Sequence, residues 1–562
     1  MVRTGSRGSP RKEYCTVPVK EEEMEKASFA EVSVNEAVSG PSAEDWRIAI
    51  EDEVKSILHH DVCEIVDRPE GVNVVGSKIV LTNKMNSDDT LNRRKARIVA
   101  RGFSQRPGFD YDQTFAPVAR LSSIRFAIAL AVRLKMKIHQ LDIATTYLNS
   151  PLDVPIYMEV PIQFREALTR IGESKTEESS IRSKARRMSN LLKFKSKIWK
   201  LKRAVYGLKQ AGRQWNNTID KYLKELDLKP STADPCAYYK GDVENLLLII
   251  VYVDDLLVVS RSPSEISNFV TKLSQKFKVK DLGEAKYCLG IEIIRDNNNL
   301  TLSQRGYVNE LLIRYNMNDA KPVSNPMEPG LKFSEEKRSG KELPFRELLG
   351  SLMYLAMGTR PDIAYAVSHL SQYNNSFGNI HWKAAKRILR YLKGTINYGL
   401  TYIYDKDPIK GYVDADWGGC TKDRHSYTGF VFMLSGAPIS WESRKQRTVA
   451  LSSTEAEYMG LSEASKVAMY WVKFLREINF EEIAHITLFN DNLGAQKLTE
   501  NHMYHRRTKH IDIRHHFIRE VINQGLILIK YLCTECMVAD ILTKALPTTK
   551  HMQCIKLLGL TI

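Results

Sequence analysis

Residues 244–262 read ENLLLIIVYVDDLLVVSRS. Two aliphatic runs flank the pair Asp254-Asp255. Each run has the length of a strand and is apolar enough to be covered on both faces, so the stretch predicts a β-hairpin inside a sheet. Adjacent carboxylates at such a tip are costly. Desolvation and mutual repulsion favour protonation of at least one unless a cation compensates. A turn chosen for folding alone would favour Asn-Gly or Asp-Gly. The missing glycine points to chemistry, with a solvated acidic turn as the other reading of the pair taken alone.

Working outward, HQLDIATTYLN at 139–149 ends an apolar strand on Asp142. A single strand-end Asp is usually a helix N-cap. Taken together, Asp142, Asp254 and Asp255 could supply oxygen ligands for two Mg²⁺ ions, which favour carboxylates plus substrate phosphates. Such a pair clamps the attacking and leaving oxygens of an in-line phosphoryl transfer.

The whole chain is compatible with that chemistry. Its 562 residues exceed what one core serves, so three or four structural units are expected. With 43% hydrophobic and 26% charged residues it is not fibrous, collagenous or wholly disordered. The longest apolar run, Leu246–Val253, falls far short of the ~20 residues that span a bilayer, and no secretory h-region is visible at the start. Eight scattered cysteines suit a reduced, intracellular chain, cytoplasmic or nuclear. A net charge of +16 suits a polyanionic partner. Ten Lys or Arg and no acid lie between Arg182 and Arg203, a solvated surface or a phosphate contact.

Residues 1–43 read as a disordered tail, with order starting near Trp46. Asn86–Asn92 supplies turn chemistry between two strand-like pieces. Residues 165–198 read as a basic insertion, a loop or a poorly ordered helix. Residues 263–277 form an amphipathic helix, 305–400 are mostly helical, and a second α/β region begins near Gly411.

That second region carries more acids: KGYVDADWGGC (410–420), ALSSTEAEYMGLSEA (450–464), ITLFNDNLGAQKL (486–498) and ADILTKALP (539–547). Ser453-Thr454 before Glu455 reads as a helix start, which puts Glu457 in the first turns. One C-x-x-C, Cys533 to Cys536, has no second pair and is a weak zinc signal.

YVDD at 252–255 resembles the signature box of reverse transcriptases. RRKARIVARGFSQRPGFDYDQTFAPVARLSSIR (93–125), QLDIATTYLN, KLKRAVYGLKQAGRQW (200–215) and YCLGIEI (287–293) narrow the resemblance to the Copia/Ty1 type of long-terminal-repeat retrotransposon polyprotein. The resemblance implies an α+β fold. A right-hand polymerase, with fingers and a ferredoxin-like palm over 44–295 and a thumb/connection over 296–405, would precede an α/β ribonuclease H-like domain over 406–562. It makes Asp142, Asp254 and Asp255 the polymerase metal ligands. Asp414, Glu457, Asp491 and Asp540 become those of a nuclease, with two Mg²⁺ per site and Mn²⁺ as a substitute. By the same resemblance Asp414 is preferred to Asp416, since the family's first acid follows GYV, and Glu457 to Glu455, since EYMGL matches the family's acid-then-apolar helix.

The resemblance also implies a sugar gate at Tyr147 and triphosphate contacts at Lys95 and Arg97, with the choice between those two left open. Gln210 would lie near the nucleotide sugar, and the turn Leu289-Gly290 would hold the primer end. For Gln210 and that turn, packing is the competing reading. Expected partners are an RNA template, a DNA primer, an RNA–DNA hybrid and dNTPs, with no membrane. PIQF at 161–164, Gly212 and Ile79 depart from the family pattern without touching a metal ligand. No protease or integrase motif is seen, and a catalytically inactive nucleic-acid-binding remnant is the alternative.

Overall fold

In the computed structural model, which describes residues 33–85, 91–194, 196–333, 343–420, 422–500 and 512–561, the expected hairpin lies at the heart of a sheet. Leu247–Tyr252 and Asp255–Ser260 pair antiparallel with Tyr252 opposite Asp255. Every residue is buried from Leu247 to Val251 and from Leu256 to Ser260, as continuous apolar runs require. The six strands run in the order Val279–Glu284, Lys137–Ile143, Asp255–Ser260, Leu247–Tyr252, Ala237–Lys240, Lys229–Pro230.

The chain folds as two compact units. One holds residues up to Ala116 together with Thr145–Thr218; the other holds Pro117–Ala144 and everything from Ile219 onward.

In the first unit, the hairpin Ser77–Met85/Leu91–Ala100 accompanies a four-stranded sheet ordered Cys63–Asp67, Lys197–Arg203, Pro151–Met158, Val74–Val75. Most of the turn proposed at 86–92 lies outside the described residues. Order begins earlier than Trp46: Val34–Ser39 and Ala43–His59 are helices, so 33–43 is not tail, while 1–32 lie outside the described residues. The 165–198 stretch is two helices, Phe164–Glu173 and Ser179–Leu191, rather than a loop. Phe164, Leu168 and Ile171, spaced for one helical face, are buried in this unit's core beside Trp199. Part of the basic block is spent internally: Lys184 donates to the Leu58 carbonyl (3.2 Å), Arg186 to Gly172 (2.8 Å) and Arg182 to Ser174 (3.5 Å). Those carbonyls belong to the last turns of two helices, where cations are favoured.

In the second unit, helix Leu121–Arg133 is buried from Ser123 through Val132, the pattern of a core helix. It holds a buried cation, Arg125, which donates to the carbonyls of Ile439 (2.9 Å), Met357 (2.7 Å) and Gly358 (2.9 Å) and lies 4.0 Å over the Trp441 ring. The expected helical stretch is present as Arg305–Arg314, Phe345–Gly358, Ala364–Ser371 and Asn379–Gly394. The C-terminal sheet is ordered Ala437–Lys445, Tyr427–Leu434, Lys410–Ala415, Ile486–Asn490, Ile527–Tyr531. Its last two pairings are parallel and the others antiparallel. The architecture is α+β followed by α/β, as expected. No described helix is long and apolar enough to cross a membrane.

Candidate active sites

The hairpin turn has two central residues, Val253 and Asp254. Val253 takes a left-handed φ of 53°, the conformation that such a turn demands at its first central position. For a β-branched residue this is strained, and strain of this kind collects at functional sites. The neighbouring strand is in register so that Asp255 sits directly opposite Asp142. The Ile143 amide donates to the Asp254 carbonyl (2.9 Å), tying turn to strand. Paired residues share a face, so two half-buried carboxylates stand side by side, an arrangement that costs stability without a cation. Burial pushes the Asp255 carboxyl up to about 6; the charges of Asp254 and Asp142 add to this, and a hydrogen bond from Gln140 Nε2 (3.1 Å) opposes it.

Leu289-Gly290 is a turn, as expected: it joins Tyr287–Cys288 to Ile291–Asp296 with φ of 51° and 73°, the signs of a type I′ hairpin. The Tyr354 hydroxyl donates to the Leu289 carbonyl (2.7 Å), and a Cβ on Gly290 would collide with that hydroxyl.

Within the first unit, Lys95 and Arg97 are two residues apart on strand Leu91–Ala100 and so face the same side, opposite the buried Ala96 and Ile98. The Arg97 guanidinium lies 4.7 Å over Tyr206, whose ring meets Tyr147 edge-on at 4.8 Å. Tyr206, unmarked in the sequence reading, thus joins two of the proposed substrate contacts. Gln210 is buried: its amide donates to the Asp110 carbonyl and accepts from Gln105, both at 3.0 Å. Its polar atoms hold the 105–110 loop.

The second acid set converges. Asp414 lies on strand Lys410–Ala415, Glu457 in the first turns of helix Ser453–Glu477, and Asp491 just after strand Ile486–Asn490. The helix starts where expected, with Ser452 Oγ accepting from the Glu455 amide. Among the described residues these three form the one group of metal-ligating side chains whose ligand atoms lie within 4.8 Å of one another. Burial pushes Asp414 up to about 7, opposed by Lys544 and reinforced by Asp540 and Asp491. Burial, then the charge of Asp414, raises Glu457 well above the usual carboxylate range.

Each of the three accepts a hydrogen bond from a neutral donor: Asp414 from Thr543, Glu457 from Asn490 Nδ2 (2.9 Å), Asp491 from Thr534 Oγ1 (2.8 Å). Donors of this kind orient ligating carboxylates. Asp540 is buried nearby but is held by Lys544 (2.8 Å) and Lys550 (3.5 Å); Lys544 also reaches Asp414 (3.6 Å). Asn490, Thr534, Thr543 and Lys544 were missed in the sequence reading, although Asn490 stands inside the quoted word ITLFND and Thr543 and Lys544 inside ADILTK.

The second unit thus holds one carboxylate set in the six-stranded sheet and a second, converged set in the C-terminal sheet region. Residues 60–170 and 185–329 match the family described as reverse transcriptase (RNA-dependent DNA polymerase). The chain is 37% identical over 569 residues to the retrovirus-related Pol polyprotein from transposon TNT 1-94 of Nicotiana tabacum, covering 99% of this chain and 40% of that protein. It is 36% identical over 566 residues to the Pol polyprotein from transposon RE1 of Arabidopsis thaliana, covering 100% and 37%. Against the putative transposon Ty5-1 protein of Saccharomyces cerevisiae it is 31% identical over 328 residues, covering 58% of this chain and 98% of that one. The foamy viral protease-reverse transcriptase in complex with dsDNA aligns over 87% of this chain and 83% of its own, at 12% identity and a TM-score of 0.45. The chain belongs to the reverse transcriptase family of Copia/Ty1-type retrotransposon Pol polyproteins. It spans about two fifths of the tobacco and Arabidopsis polyproteins.

Proposed function

We propose that this chain is an RNA-directed DNA polymerase joined to a ribonuclease that cuts the RNA of RNA–DNA hybrids. The polymerase would occupy 44–295, a thumb/connection 296–405 and the nuclease 406–562. The observation that supports this most is the strand register setting Asp142 opposite Asp255 at the base of a strained hairpin turn, a like-charge contact that folding alone does not favour.

The C-terminal donor set fits divalent cations. Mg²⁺ takes hard carboxylate oxygens, and three clustered carboxylates, two of them buried and raised, call for positive charge. Asp142, Asp254 and Asp255 would hold the polymerase ions, and Asp414, Glu457 and Asp491, with Asp540 turning from its lysines, the nuclease ions. Bound there, the ions would stabilise the attacking and leaving oxygens of phosphoryl transfer. The chain's own groups do the rest. Gln140 fixes the Asp255 carboxylate. Lys95 and Arg97 present fixed charge to a triphosphate. Tyr147, buttressed by Tyr206, crowds a ribose 2′-OH. Leu289-Gly290 carries the primer end, and Gln210 acts through the loop it holds.

The test is direct. Purified chain with poly(rA)/oligo(dT), dTTP and Mg²⁺ is expected to extend the primer, and a hybrid labelled in its RNA strand to be cut. Binding of template–primer with neither activity would favour the inactive nucleic-acid-binding remnant.

A further inference from the structure

Beside the Asp414–Glu457–Asp491 cluster lies an apolar surface that the reading above does not use. Trp417 is 60% exposed, Leu451 72% and Val449 45%, close together around the buried Ala450. Single exposed apolar residues are ordinary; a contiguous set beside a site is not.

This surface is rigidly built. Trp417 Nε1 donates to the Ala450 carbonyl (3.1 Å), which fixes the indole. On either side, the Asp416 amide donates to the Tyr427 carbonyl and the Gly418 amide to Ser426 Oγ, both at 3.1 Å. The Leu451 amide donates to Glu455 Oε2 (2.8 Å), locking the loop to the start of the long helix. Beneath lies a separate small core of Ala415, Ala450, Ala456 and Met459. Ala415 follows Asp414 directly, and Ala456 precedes Glu457 directly. The elements that present two of the three clustered acids therefore also carry the shelf, at the same end. Exposed Arg447, two residues before Val449, adds positive charge.

We propose that Trp417, with Val449 and Leu451, is a substrate-binding shelf for the sugar–phosphate backbone of the RNA strand in an RNA–DNA hybrid; this rests on the nuclease reading. The small core ties the shelf to the segments that carry Asp414 and Glu457, which puts the shelf within reach of a strand seated on those acids. An indole already fixed by a hydrogen bond offers its face to a sugar or base at low entropic cost. Arg447 answers the phosphates. The shelf is sequence-tolerant, since the sugar–phosphate backbone is the same at every nucleotide.

The test uses the full chain with Trp417→Ala and Trp417→Phe. Trp417→Ala is expected to raise KM for hybrid cleavage about tenfold with kcat nearly unchanged, while poly(rA)/oligo(dT) extension and thermal melting stay at wild-type values. Trp417→Phe keeps an aromatic face without the Nε1 bond and is expected to stay within about threefold of wild type. An unchanged KM for the alanine variant, or a phenylalanine variant as weak as alanine, overturns the shelf. A second arm needs no catalysis. Hybrid with 4-thiouridine in its RNA strand is photocrosslinked to the metal-free chain, and the adducts are mapped. Adducts at 417 or 449–451 support the proposal, and adducts only elsewhere in the C-terminal region overturn it. If the wild-type chain crosslinks at the shelf yet cuts no hybrid, the nuclease reading fails and the shelf stands.

Discussion

Asp142, Asp254 and Asp255 are half-buried and are positioned by a strand register and a two-residue turn, with Gln140 donating to Asp255. Asp414 and Glu457 are buried, and each member of their trio is turned inward by its own neutral donor. The first set leaves water to relieve part of its repulsion, which is consistent with Asp255 rising only to about 6. The second keeps its carboxylates converged, and burial raises Asp414 to about 7 and Glu457 further. Under the proposed function, a polymerase site that must admit a triphosphate and a moving primer end has reason to stay open, and a nuclease site that only receives a backbone can be preformed.

The comparison breaks first if the two sets do not act separately. Asp254→Asn is expected to cut primer extension by about a thousandfold or more while hybrid cleavage persists in the same preparation. Loss of both activities from a protein with wild-type melting would mean a single shared centre. Asp491→Asn is expected to do the reverse, with a comparable loss of hybrid cleavage and extension kept near wild type. Cleavage that survives would remove Asp491 from the ligand set.

A smaller effect sharpens the claim that neutral donors organise the C-terminal trio. Thr534 is exposed, so Thr534→Val removes the hydroxyl that holds Asp491 without opening a core. Titration of the metal-free protein with Mn²⁺, followed by calorimetry, is expected to show affinity at the C-terminal site about tenfold lower. Unchanged affinity would reduce that bond to decoration.

Much of this was legible in the chain. An eight-residue apolar run ending on two acids can hardly be anything but a buried hairpin, and S-S-T-E placed the long helix to the residue. What stayed hidden was pairing at a distance. Charge counting left the Arg182–Arg203 block as a solvated surface or a phosphate contact, yet Lys184 and Arg186 cap carbonyls of other helices, which composition cannot reveal. The apolar spacing of Phe164, Leu168 and Ile171 was present, but polar, Ser-rich surroundings masked it. Gln210 carried a motif identity, yet its burial against Gln105 and Asp110 depends on a loop about 100 residues earlier. Lys544 stands four residues after Asp540, but its reach to Asp414 arises only once strand and 3₁₀ turn meet.

The smallest expected effect concerns stability rather than rate, and it separates the two sets by their electrostatics. A carboxyl whose folded pKa is raised holds its proton more firmly in the native state than in the unfolded one. Its stabilising contribution is present below the unfolded value near 4 and is lost as pH rises through the folded value, about 7 for Asp414. Without divalent cations, Asp414→Asn should therefore melt higher than wild type at pH 8, by about 3 °C, and the gap should close at pH 4. Millimolar Mg²⁺ should close it from the other side at pH 8, since the ion then answers the charge that asparagine merely removes. Asp255→Asn should show a smaller gap at pH 8, because half-buried Asp255 rises only to about 6. Equal gaps for the two variants would mean that the open and the preformed clusters are electrostatically alike, and the contrast between them would reduce to geometry alone.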